Sequence, residues 1–248
     1  MNKHFAIAYR IWVAIAICCT IILTWNTTIA QQRKPTVPPG EEKVTVAPVK
    51  NLKLLNEYKD AKGNLVRIVQ YTQGNNRVTE TIVMPPRPAY VHVPIRVDTM
   101  NKDSVMVVVD KGHYNLQVYY RHRLIRTYKA VFGPKPLENK TYEGDRCTPE
   151  GWFKIANKNP ASKYHRFMGL NYPNDSAIAR FNKMKAKGLL PANARIGGDV
   201  GIHGIWANGD DMIEMGIGWT DGCVAIKNND IEDLYSMVTV GTRVFIRR

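Results

Sequence analysis

Residues 202–228 read IHGIWANGDDMIEMGIGWTDGCVAIKN. His203 and Cys223 stand at the two ends of a Gly-rich, acidic excursion, with Ile202 before the histidine and Val224, Ala225 and Ile226 after the cysteine. A thiol is an effective nucleophile only as thiolate, and a neighbouring imidazole can take its proton and hold the resulting anion. Gly222 permits a tight turn that aims the amides of residues 221–223 at an oxyanion. Losing one such donor typically costs about 2.7–4 kcal/mol of transition-state stabilisation. Spacing alone leaves the pair open: cysteine is often a small buried apolar residue, and a histidine this far upstream is more often structural than catalytic.

Two blocks lie further out. Gly144, Asp145, Thr148, Pro149, Gly151, Phe153 and Ile155 form the first, and Tyr172, Pro173 and Asn174 the second. With His203-Gly204, Thr220, Gly222, Cys223, Val224 and Asn228 in register, the ensemble resembles the L,D-transpeptidase catalytic domain. That family's signature is a His-Gly pair, a loop of fairly fixed length, Ser or Thr, a variable residue, Gly, Cys, an aliphatic residue, and Asn five positions after the cysteine.

The resemblance covers residues 104–248. It implies a mainly β, sandwich-like fold with few helices and the cysteine in a cleft. It also implies an acyl transfer on peptidoglycan stem peptides to an acceptor amine, with Cys223 as nucleophile, His203 as base, and no metal or cofactor. Asp221 and Gly222 would orient the site or serve the oxyanion. Tyr164, His165, Gly204, Thr220 and Trp219 would contact substrate, although Tyr164 and His165 equally fit a packing role. Trp206 and Trp219 bracket the excursion as a lid, an acceptor wall or plain packing.

Many members carry His at the position of Asp221 and Arg at that of Ala225, so a second imidazole and a cation are missing here. Two rival readings stand beside transfer: an L,D-carboxypeptidase in which water resolves the same acyl-enzyme, and a non-catalytic wall-binding module.

Within residues 104–248, residues 105–109 predict a buried strand, residues 115–120 and 124–131 a pair joined by a polar turn, and residues 243–247 a closing strand. Helices are predicted over residues 177–187 and 230–238. Ahead of it, residues 51–103 form a small β-rich region, with alternating runs at 66–71 and 78–83 and turn signals at Gly63 and Gly74. Its thin apolar content predicts that it packs on the domain downstream or serves as a spacer. Residues 31–50 carry Pro35, Pro38, Pro39 and Pro48 and read as a tether.

Residues 1–30 read as an export signal, with Lys3 and Arg10 ahead of an apolar run over residues 11–25 and Ala30 at the expected cleavage point. The alternative is an uncleaved membrane tether through that run, which is shorter than the ~20 residues of a full span. Either way the chain is expected in the periplasm or cell envelope. Cys18 and Cys19 leave with a cleaved signal, and Cys147 and Cys223 remain, so a disulfide scaffold is excluded. A Cys147–Cys223 bridge would silence the site, an inert Cys147 being the commoner case. The formal charge of +14, from 35 Lys+Arg against 21 Asp+Glu, suits an anionic wall. Export argues against nucleic acid as a partner.

Overall fold

The computed structural model describes residues 49–248. The export signal or tether and all but the last two residues of the Pro-rich segment lie outside the described residues. Among the described residues no helix is long and apolar enough to cross a membrane.

The chain opens with an antiparallel meander: β1 (Val49–Lys59), β2 (Leu65–Gln73) and β3 (Asn76–Met84). The Asp60 carboxylate accepts from the Lys62 and Asn64 amides and closes the first turn. Gly74 takes a positive φ of 60° in the second. β1 is not expected from the sequence, because nearly all its side chains are exposed and so show no alternation. Its backbone pairing with β2 alone makes it a strand.

Eight further strands form the main sheet: β4 (Val105–Asp110), β5 (Asn115–Tyr120), β6 (Arg123–Lys129), β7 (Gly151–Ser162), β8 (His165–Leu170), β9 (Gly201–His203), β10 (Val224–Ala225) and β11 (Arg243–Arg247). Their order is β10-β9-β8-β7-β11-β4-β5-β6. Beyond β6, Val131 exchanges two 2.9 Å backbone hydrogen bonds with Ala225 of β10, so the two ends of the sheet meet. This curling makes the fold sandwich-like: Val107, Val118, Phe153, Met168, Ile202, Val224 and Val244 share one core. The closing strand β11 lies centrally, parallel to β4 and antiparallel to β7. β7 alternates only over its first half, where Phe153 and Ile155 are buried, and β8 buries Met168, Gly169 and Leu170 in succession.

Three helices complete the described fold: α1 (Asp175–Ala186), α2 (Asp210–Met215) and α3 (Asn228–Met237). α1 starts two residues before the predicted position, because Asn174 caps it by accepting the Ala177 amide at 3.0 Å. α3 buries Ile231, Leu234 and Met237, spaced three apart, in the main core. α2 is not predicted by the sequence; six residues between Gly209 and Gly216 carry too short a period to read.

The N-terminal meander is seated on the main domain. Val69, Tyr71, Ile82 and Met84 form a second apolar cluster with Val131, Ile205, Met212, Ile213, Ile217, Trp219 and Ala225. Arg67 donates to the Glu214 carbonyl oxygen at 2.5 Å, tying β2 to α2. Residues ahead of Ser104 also reach the main sheet: Met100 belongs to the main core, and the Val93 amide donates to the Ile125 carbonyl at 2.9 Å.

Met84 is 1% exposed in the second cluster. Met84→Ala is expected to cost about 2–5 kcal/mol in denaturant unfolding. A loss within the roughly 0.5 kcal/mol of a surface substitution would show that the meander is not packed there.

Candidate active site

Strands β9 and β10 run parallel, with Val224 opposite Ile202 and Ala225 opposite His203. Ile202 and Val224 are fully buried in the main core. Side chains alternate along a strand, so Gly201 and His203 face the other way. Extending the register by one residue sets Cys223 beside Gly201, and the Gly201 amide lies 3.4 Å from Cys223 Sγ. His203 follows Gly201 by two residues on the same face. His203 is therefore the diagonal neighbour of Cys223 on this face. Gly201 puts no side chain between them, and a Cβ there would meet the Met168 carbonyl and the Phe167 ring at 2.6 Å.

The imidazole of His203 is 2% exposed. Tyr164 stacks on it at 4.9 Å, Phe167 lies near-parallel at 6.2 Å, and Trp219 meets it edge-on at 5.5 Å. Nδ1 lies 2.7 Å from the Gly204 carbonyl oxygen. A carbonyl only accepts, so Nδ1 carries the proton and Nε2 is left with the lone pair. Burial pushes this imidazole down to about 4, against the Gly204 bond and aided by the charge of Lys163. His203 is therefore a neutral base at neutral pH.

Burial likewise pushes the Cys223 thiol up to about 11, with the Gly201 amide and Lys140 opposing and Asp221 and Asp199 reinforcing. Its Sγ is 3.5 Å from the Asp199 carbonyl oxygen. At rest the Cys223 thiol and the His203 imidazole are thus both neutral at neutral pH.

The turn before Cys223 is organised from within. Thr220 is 3% exposed, and its hydroxyl donates to the Cys223 carbonyl at 2.7 Å. It therefore braces the loop rather than lining an open surface. Gly222 has φ +139°, and a Cβ there would sit 2.8 Å from the Cys147 carbonyl oxygen. The Asp221 carboxylate pairs with Arg146 at 3.0 Å, and Arg146 also donates to the Trp219 carbonyl at 3.3 Å. Gly204 is closely covered, a Cβ there meeting Asn228 Oδ1 at 2.5 Å. His165 turns its imidazole to Glu232 on α3, at 2.7 Å. Trp219 is buried in the second cluster and meets Trp206 edge-on at 4.9 Å.

Cys147 and Cys223 are both free thiols. Cys147 is 2% exposed, and burial pushes its thiol up to about 11.

Sequence reasoning missed Lys140 and Arg146, which contact the turn from a separate loop. Asp145 stands in the first sequence block without a role of its own. Its neighbours Lys140 and Arg146 carry no signal, because a lone basic residue in a polar stretch reads as solvated surface.

The family model of the L,D-transpeptidase catalytic domain (YkuD) matches residues 104–246, and the chain belongs to that family. Among solved structures, the chain is similar to the helical cell shape determining protein Pgp2 from Campylobacter jejuni. Identity there is 23%, over 60% of this chain and 48% of that one, with a TM-score of 0.43. Bdellovibrio bacteriovorus Bd1075 is 19% identical over 64% and 52%, with a TM-score of 0.41. An L,D-transpeptidase from Xylanimonas cellulosilytica is 17% identical over 65% and 64%, with a TM-score of 0.36. The chain thus spans about half the length of the first of these structures. No curated protein matches it.

An NMR titration of His203 is expected to give a midpoint near 4 rather than 6.5. Because the folded value lies below the unfolded one, this group's contribution to stability is complete above about pH 6.5. It is lost as pH falls to about 4. A midpoint at the ordinary value would refute the buried, neutral imidazole. Gly222→Ala must place a Cβ at φ +139° against a carbonyl. It is expected to cost about 1–3 kcal/mol in thermal unfolding, and an unchanged melting curve would contradict the strained turn.

Proposed function

We propose that this chain is an exported cysteine acyltransferase acting on peptidoglycan stem peptides, with Cys223 as nucleophile and His203 as base. The observation that carries this reading is the parallel pairing of β9 and β10, with the Gly201 amide 3.4 Å from Cys223 Sγ and His203 two residues further along.

In the first step Cys223 Sγ attacks the carbonyl that joins the L-centre of a diamino acid to terminal D-alanine. The thiol proton passes to His203 Nε2, and the Gly204 carbonyl bonded to Nδ1 steadies the imidazolium. Backbone amides of residues 221–223 serve the oxyanion. Collapse of the tetrahedral species expels D-alanine, which takes the proton from His203, and leaves a thioester on Cys223. An acceptor amine then attacks the thioester and gives a proton to His203; the C–S bond breaks as the new amide forms, and His203 returns the proton to Cys223 Sγ. Asp221 acts through Arg146, holding the turn in shape.

Export is supported by the basic, apolar pattern of residues 1–30, and contact with an anionic wall by the formal charge of +14. The chain would then work in the periplasm or cell envelope.

Mass spectrometry of the protein with a disaccharide tetrapeptide is expected to detect an acyl adduct on Cys223. Cys223→Ala should abolish it, and His203→Ala should slow its formation by about 10²–10⁴. Cross-linked dimer marks transfer and tripeptide alone marks hydrolysis. No adduct on a folded protein would overturn the enzymatic reading and leave a wall-binding module.

A further inference from the structure

Beneath the turn that carries Cys223 lies a buried ion pair to which the steps above give no role. Lys140 is 3% exposed, and its Nζ lies 3.0 Å from Asp145 Oδ1. The same ammonium donates to the Asp221 carbonyl oxygen at 3.4 Å, and a Cβ built on Gly222 would stand 3.4 Å from it. It touches the backbone of the turn directly.

Burying a charge pair rarely stabilises a fold more than apolar residues of the same size would. The surroundings of Asp145 show what the pair is built to do. Burial alone would raise this carboxyl, but the Thr141 and Cys147 amides and Lys140 outweigh it and hold it below the usual carboxylate range. Tyr142 N–H and the Thr141 hydroxyl donate to it as well. With its charge shared among these donors, Asp145 anchors Lys140 without fully cancelling it, and positive potential is left on the side facing Asp221 and Gly222.

We propose that Lys140 is a positioning residue for Cys223, its buried ammonium holding the peptide between Asp221 and Gly222 and supplying the potential under which thiolate and oxyanion form. Donation to the Asp221 carbonyl polarises that peptide, so the Gly222 N–H becomes a better donor. The other charged groups acting on the thiol are Asp221 and Asp199, both of which oppose the thiolate, while His203 is neutral and Arg146 partly offsets Asp221. Among the described residues, Lys140 is thus the cation that works in favour of the thiolate. This inference rests on reading Cys223 as the nucleophile.

The test is the pH profile of Cys223 alkylation by iodoacetamide in the full chain, scored by peptide mass spectrometry so that Cys147 is counted separately. Lys140→Met is compared with Lys140→Met/Asp145→Asn, which removes both charges and spares the fold an unpaired buried carboxylate. The double variant is expected to move the midpoint up by about one pH unit and to slow alkylation at neutral pH about tenfold. A folded double variant with the parent's profile would overturn the proposal. Because the readout is the thiol and not a substrate, an upward shift in a protein that forms no acyl adduct would sink the acyltransferase reading alone.

Discussion

The structure depends on a parallel pairing only two residues long. Val224 against Ile202 and Ala225 against His203 bring together segments that are twenty residues apart in sequence. A parallel pair cannot be closed by a tight hairpin. The chain therefore leaves the sheet after His203, forms α2, and returns through Trp219 and the turn at Gly222. The Gly-rich excursion is the crossover this geometry demands. Its apolar residues, with nothing in the main core to cover them, are covered by the N-terminal meander.

Each of the two short strands is consequently packed on both faces. Ile202 and Val224 enter the main core, while Ala225 and the aromatic surround of His203 belong to the other side. For His203, which is fully buried, this packing accounts for the neutral state, while Cys223 at the end of the strand is half-buried. Burial disfavours charge on the imidazole and on the thiol alike, and the bond from Nδ1 to Gly204 settles which nitrogen holds the proton. The meander thus contributes to the site without touching Cys223, by closing the cluster in which Trp219 is seated.

The loop of residues 133–150 forms the floor. Close backbone contact carries it under the turn: a Cβ on Gly133 would overlap the Arg146 carbonyl oxygen at 1.9 Å and approach that of Thr220 at 2.9 Å. Asp145 gathers the loop around one carboxylate, and Lys140 and Arg146 reach from it to the Asp221 carbonyl and carboxylate. The upstream block of sequence and the cysteine segment form a single structural unit, which is why both are needed to recognise the domain.

By itself the sequence determined the domain's class, the strands at residues 105–109, 115–120 and 243–247, and the two longer helices to within two residues. Those signals are local: an unbroken apolar run for residues 105–109, short β-rich runs flanked by polar turns for the other two strands, and three-residue spacing for Ile231, Leu234 and Met237. It also marked Cys223, His203, Gly222 and Asp145 as a set. Only the tertiary structure decided what they do to one another. It turned the imidazole of His165 to Glu232, set Thr220 inside the turn, gave Asp221 to Arg146, and brought Lys140 beneath Gly222. β1 and α2 likewise exist through pairing and packing with distant residues rather than through their own pattern. Periodicity reports which face of an element is buried; which charged group lies against that face depends on segments far away in the chain, and that is fixed only when the sheet closes.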